Sequence, residues 1–183
     1  MIARCAALLV LTITASGARS VGPTLEGRMV SEDLPLMGAS LGGSPFRRTC
    51  PDNHVLTGVR YRKGAFIDGI GIQCRPVRGD GTLGTQINSG DMAGGNGGTY
   101  GTASCPANNV IASQRGTDNS EIGCHEWIAA SRTWKSARTS FIRIAGGVGQ
   151  RESTCSKAAE PGHGIYGRHG MIIDRWGVSC DSP

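Results

Sequence analysis

Apolar residues recur at every second position in several stretches of this chain. Val55, Thr57, Val59 and Tyr61 fall on one face of an extended segment, with Arg60 and Arg62 on the other. Ile70, Ile72 and Cys74 share a face, and so do Trp176, Val178 and Cys180. A period of two predicts strands. The 29 glycines interrupt every segment that would otherwise make an amphipathic helix. The expected exception is Ser120–Ala137, where E-I-G-C-H-E-W-I-A-A suits a helical turn or two. The fold class expected is therefore all-β, built from short strands separated by turn residues.

The same pattern returns. Arg62–Cys74, R-K-G-A-F-I-D-G-I-G-I-Q-C, reappears without a gap as Arg168–Cys180, R-H-G-M-I-I-D-R-W-G-V-S-C. The two share Arg62/Arg168, Gly64/Gly170, Ile67/Ile173, Asp68/Asp174, Gly71/Gly177 and Cys74/Cys180. A spaced match inside one chain is an internal repeat. Three units emerge, about 42–93, 94–145 and 146–183, and the first cysteine of each lies 55 and then 50 residues after the last. Each opens on glycines: Gly42-Gly43, G-G-N-G-G at Gly94–Gly98, and G-G-V-G at Gly146–Gly149. About 50 residues suit four strands of ~5–6 residues with turns. Three such sheets around a pseudo-threefold axis make a β-prism; a β-trefoil, also threefold, is the alternative.

Cysteine number and charge refine this. Residues 1–20 carry Arg4, a short apolar run from Ala6 to Ala15 and small residues up to Ser20, the layout of a secretory signal peptide. The run falls short of the ~18 apolar residues a membrane span needs. Residues 21–41 hold two prolines and no sustained period, so they read as an N-terminal lead-in that adds a first strand. Without Cys5 of the signal peptide, six cysteines remain, an even number that predicts disulfides in an exported chain. Two cysteines per unit make Cys50–Cys74, Cys105–Cys124 and Cys155–Cys180 the economical pairing. Metal binding is the competing use, but there is no C-x-x-C and no zinc-finger spacing. The formal charge of +5 is spread thinly, without the clustered basic face or module of a nucleic-acid binder.

The strings G-A-F-I-D at 64–68 and G-M-I-I-D at 170–174 resemble the G-x-x-x-D motif of jacalin-related lectins, and Gly94–Gly98 resembles their Gly-Gly loop. The cysteine-bearing threefold layout is also similar to the vitelline membrane outer layer protein, another β-prism family. The resemblance implies a sugar held between the two kinds of loop. An Asp carboxylate, which only accepts hydrogen bonds, would take two sugar hydroxyls. Gly64 and Gly170 would permit a tight turn, and backbone N–H groups of the intervening residues would donate. The implied carbohydrate-binding residues are Gly64, Ala65, Phe66 and Asp68 with Gly94, Gly95, Gly97 and Gly98. Gly170, Met171, Ile172 and Asp174 with Gly42 and Gly43 form the second set. Ile67 and Ile173 would point into the core. A third pairing would join residues near Asn119–Gly123 to Gly146-Gly147. There Ile122 and Gly123 align with Ile67 and Asp68, so the Asp is missing and that site is vestigial.

Plainer roles compete with each of these. Asp68 and Asp174 are suited to capping their own turns, and Gly-Gly loops to hairpins that need positive φ. Trp127 and Trp134 are candidates for stacking on sugars, whereas Trp176 has an inward period. His163 and His169 flank the last site or face solvent, and Glu121 and Glu126 line a cleft or lie on the surface. No motif frames a catalytic set. The reading is a secreted, extracellular or periplasmic lectin-like protein, with no catalysis and no cofactor. Its partners are glycans, with no nucleic acid and no membrane span; a homo-oligomer is compatible with it. Its alternative is a disulfide-stabilised structural or protein-interaction module, with a toxin component or glycan-modifying enzyme further behind.

Overall fold

The computed structural model describes residues 32–38, 42–116, 120–146 and 151–181. The expected signal peptide and the first part of the lead-in lie outside these described residues. Twelve strands are present, with no helix among the described residues. The first sheet holds β1 (Glu32–Asp33), β2 (Ser44–Thr49), β11 (Gly162–His169) and β12 (Ile173–Cys180) in the order β1-β12-β11-β2. The second holds β3 (His54–Lys63), β4 (Ile67–Pro76), β5 (Ile87–Gly94) and β6 (Thr99–Ser104) in the order β5-β4-β3-β6. The third holds β7 (Asn109–Arg115), β8 (Ser120–Ile128), β9 (Thr133–Ala145) and β10 (Glu152–Thr154) in the order β10-β7-β8-β9. This is a β-prism of three four-stranded antiparallel sheets. The trefoil alternative is set aside.

The alternation read from the sequence builds the interior. Ile70, Ile72 and Cys74 on β4, Trp176, Val178 and Cys180 on β12, and Ile122 and Cys124 on β8 are all buried. Each large aliphatic side chain removed from water contributes about 1.5–3 kcal/mol. Trp176 lies where β8 offers only Ser120, and its indole N–H donates to the Ser120 hydroxyl at 3.0 Å. Size complementarity across the sheets thus comes with a satisfied polar group.

Strict alternation fails at one repeated place. β3 has a register shift between Leu56 and Gly58, β7 between Ile111 and Ser113, and β11 between Gly162 and Gly164. A bulge sets two successive residues against one partner. The extra residue is Thr57 in β3 and Ala112 in β7, and both are fully buried.

Two other expectations change. Ser120–Ala137, expected to hold a helical turn, is β8 followed by a turn at Arg132 and the start of β9. β8 pairs with β7 on one side and β9 on the other, so its backbone groups are satisfied by ladders that a helix would forfeit. The expected lead-in does supply a first strand, β1, which pairs with β12. The core extends with it, to Leu34 and Met37.

The three expected disulfides are present: Cys50–Cys74, Cys105–Cys124 and Cys155–Cys180. Each joins the residue that follows an edge strand of one sheet to a central strand of the next. The first ties sheet one to sheet two, the second ties two to three, and the third closes three onto one. Loops of 24, 19 and 25 residues make each bond worth about 3 kcal/mol in the chain-entropy account.

Candidate functional site

The strand order decides which loops meet. In β5-β4-β3-β6 the connection from β5 to β6 must pass the turn between β3 and β4. In β1-β12-β11-β2 the connection from β1 to β2 passes the turn between β11 and β12 in the same way. Gly64–Asp68 therefore faces Gly94–Gly98, and Gly170–Asp174 faces Gly42-Gly43. Both pairings are those that the resemblance implied.

In the first pair the Gly64 N–H donates to the Phe66 carbonyl at 3.0 Å and to Asp68 Oδ2 at 2.9 Å. Asp68 thus caps its own turn with one oxygen. The other, Oδ1, has no hydrogen bond among the described residues. The Gly95 N–H donates to the Asp68 carbonyl at 2.7 Å and locks the two loops together. A methyl on Gly97 would lie 3.0 Å from Asp68 Oδ1, and one on Gly98 would lie 2.5 Å from Oδ2. Gly98 also has φ +67, where a side chain is strained. The Gly-rich loop is the floor on which the Asp68 carboxylate lies.

The second pair repeats the arrangement with one difference. The Gly170 N–H donates to the Ile172 carbonyl at 2.9 Å. Asp174 Oδ2, however, is buried and has no hydrogen-bond partner among the described residues. A methyl on Gly43, at φ +74, would approach within 2.2 Å of that oxygen. The carboxylate oxygen that Gly64 satisfies in the first site is sealed from solvent in the second.

The glycines of the turns themselves play another part than expected. Neither Gly64 nor Gly170 is among the residues with positive φ. A methyl on Gly64 would meet only Asp68 Oδ2 at 3.5 Å, and one on Gly170 would meet nothing within 4 Å. The turn closes at ordinary φ, so the tight-turn role is corrected: these glycines leave open, exposed space beside the turn.

Three residues escaped the sequence reading. Gly38, at φ +119, would place a methyl 2.4 Å from the Asp174 carbonyl, as Gly94 would 2.3 Å from that of Asp68. Both follow a buried apolar residue, Met37 or Ala93, and that dipeptide was the available signal. The others are the repeat-related arginines. Arg62 donates to the Asn96 carbonyl at 3.3 Å. Arg168 donates from Nε to the carbonyls of Gly42 at 3.0 Å and Gly43 at 3.1 Å, and from its terminal nitrogen to Gly43 at 2.7 Å. Both arginines brace the facing loops.

The remaining candidates separate. Ile67 and Ile173 are buried, as expected. Trp127 and Trp134 are buried too, their indoles donating to the carbonyls of Gly81 and Lys157, so neither is a stacking platform. His169 packs on Phe46 beside the second site. His163 lies at the far end of β11, six residues or ~20 Å along the strand, with Nδ1 against the His54 carbonyl. Glu121 is buried between Arg115 and Arg143 rather than in a cleft, and Glu126 pairs with Lys135 on the surface.

The middle unit is corrected in register. Cys124 lies opposite Ile111 as Cys74 lies opposite Leu56, so Ile122 and Gly123 correspond to Ile72 and Gln73, not to Ile67 and Asp68. Residues 61–70 separate Arg60 from its partner Gly71, but only 116–120 separate Arg115 from its partner Glu121. The hairpin is five residues shorter. Its tip, 117–119, and the facing 147–149 lie outside the described residues; Gly146 has φ +72.

No helix is long and apolar enough to cross a membrane, and no cluster of potential metal ligands occurs among the described residues. No protein-family model and no curated protein matches the sequence. Solved structures do match. A mannose-binding jacalin-related lectin from Ananas comosus aligns over 84% of this chain and 99% of its own, at 16% identity and TM-score 0.50. Frutapin, a lectin from Artocarpus incisa, aligns over 82% and 97%, at 10% identity and TM-score 0.53. Artocarpin, in a complex with mannopentose, aligns over 84% and 97%, at 9% identity and TM-score 0.54. At such identities the likeness is one of fold: this chain is a disulfide-closed β-prism of the kind found in jacalin-related lectins.

Proposed function

We propose that this protein is a secreted lectin that binds carbohydrate without catalysis, through two sites, Gly64–Asp68 with Gly94–Gly98 and Gly170–Asp174 with Gly42-Gly43. The observation that carries the reading is the pairing itself: an Asp carboxylate lies against a loop stripped of side chains, twice, at positions related by the internal repeat. A sugar hydroxyl donates to Asp68 Oδ1 in the first site and to the Asp174 carboxylate in the second. Backbone N–H groups of Ala65, Phe66, Met171 and Ile172 donate back. The named ligands of the fold's neighbours, mannose and mannopentose, support a sugar as the ligand class. Three disulfides support an oxidising, extracellular or periplasmic destination. Two sites on one chain raise the avidity for branched or clustered glycans.

One observation favours a second reading, in which the turns are purely structural: Asp68 already caps the Gly64 N–H. A glycan array separates the two. Wild type is expected to bind a coherent set of glycans, and the Asp68→Ala/Asp174→Ala double variant to lose them while remaining folded. An array blank for both proteins favours the structural module.

A further inference from the structure

A cavity of about 400 Å³ lies where the three sheets meet at the end that carries both turns. Its wall takes Phe66 and Ile67 from the β3–β4 turn and Ile172 and Ile173 from the β11–β12 turn. Met37 and Trp176 close it below, and Ala145 contributes from the third sheet. That volume falls within the ~300–1,000 Å³ typical of small-molecule sites, and the lining is mostly apolar, as such sites are. Large apolar side chains are also exposed on the same two turns. Phe66 is 65% exposed and Met171 87%, two of the four large hydrophobic side chains so exposed among the described residues.

The cavity shares Ala65, Phe66, Ile172 and Asp174 with the proposed sugar sites. Phe66 and Ile172 occupy the same position of the two repeated turns, between the glycine and the Asp of each. The loop of one site touches the turn of the other: a methyl on Gly95 would lie 2.4 Å from the Met171 carbonyl, and one on Gly94 2.9 Å from Ile173 Cδ1. A sugar held by either Asp therefore has one edge beside this apolar well, within the width of a five-residue turn.

We propose that the cavity is an aglycone subsite, and that the ligands are amphipathic glycosides, sugars bearing an alkyl or aryl group. This rests on the sugar-binding reading of the two turns. The sugar hydroxyls meet the carboxylate and backbone N–H groups, and the attached apolar group displaces water from the well. Burying a methylene contributes about 0.8 kcal/mol, close to fourfold in affinity per carbon. Two or three buried carbons are enough for a gain of tenfold or more.

The test is calorimetric titration with paired methyl and octyl glycosides of mannose, glucose and galactose, the octyl compounds kept below their micelle concentrations. At least one octyl glycoside is expected to bind tenfold or more tightly than its methyl partner. Ala145→Phe fills the well from the sheet that carries neither turn, and should erase that gain while leaving methyl glycoside affinity unchanged. Phe66→Ser removes the exposed wall and should also reduce the gain, which guards against misfolding of the filled variant. Equal affinities for methyl and octyl partners overturn the aglycone subsite and leave the sugar sites standing. Octyl glycoside binding that survives in the Asp68→Ala/Asp174→Ala variant while methyl glycoside binding is lost also overturns it. Failure of all six compounds overturns both readings.

Discussion

Gly170→Ala separates the fold from the ligand more cleanly than any change at the carboxylates. Gly170 is exposed, its φ is outside the left-handed region, and a methyl there meets nothing within 4 Å. Replacing glycine by alanine at a compatible position stabilises a protein by about 0.4–1 kcal/mol, by restricting the unfolded chain. For a domain of this size that raises Tm by about 1–4 °C. The same methyl enters the open space at the proposed second site, where the sugar should sit. Losing one or two hydrogen bonds of about 0.5–1.5 kcal/mol each weakens that site by about tenfold. Gly43→Ala is the opposite case: φ +74 and a contact of 2.2 Å with Asp174 Oδ2 force the loop to move. It should lower Tm and abolish the second site together. Differential scanning fluorimetry and calorimetric sugar titration read the two effects separately. A Gly170→Ala protein that melts several degrees lower refutes the turn geometry; one that binds sugar like wild type at both sites refutes the assigned space.

Other expectations follow from the same coordinates. Arg168→Ala removes three donations to Gly42 and Gly43 and should weaken the second site several-fold, with Arg168→Lys recovering part of it; Arg62→Ala, with one donation to Asn96, should cost less. Titration of each variant checks that ordering. Cys105→Ala/Cys124→Ala should lower stability by about 3 kcal/mol in urea unfolding and leave the sugar turns, which lie in the other two sheets, able to bind. Buried His125 accepts from the Ser113 hydroxyl at Nε2 and donates from Nδ1 to the Lys135 carbonyl, both at 2.9 Å. Burial holds its pKa below the ordinary 6.5, so the unfolded chain binds the proton first. Stability from this residue is complete above pH 6.5 and falls as pH drops through that value. Urea unfolding at pH 7.5 and pH 5.5 should show the loss, with a smaller difference in His125→Gln.

Period two and the repeat made most of the architecture legible. Ile70, Ile72, Trp176 and Val178 announced inward faces, and two cysteines per unit announced the disulfides. Bulges were invisible, because a run such as Leu56-Thr57-Gly58 carries no sign of which residue will slip. The middle hairpin was misaligned because sequence alignment without gaps cannot show a five-residue shortening, whereas strand register can. In the sites, Asp68, Asp174 and the Gly-Gly loops stood out as residue types. Their demands did not: Gly98 and Gly43 need to be glycine because of what lies against them, and Gly64 and Gly170 do not. Arg62 and Arg168 were identical in the repeat but read as surface, since a guanidinium reaching a distant loop carbonyl leaves no local pattern.

The central claim is two equivalent sugar sites per chain, each dependent on its own Asp. Calorimetric stoichiometry with the monosaccharide that binds best tests it most directly. The expected result is two sugars per wild-type chain, one for Asp68→Ala, one for Asp174→Ala and none for the double variant. Undiminished binding by the double variant would contradict the account.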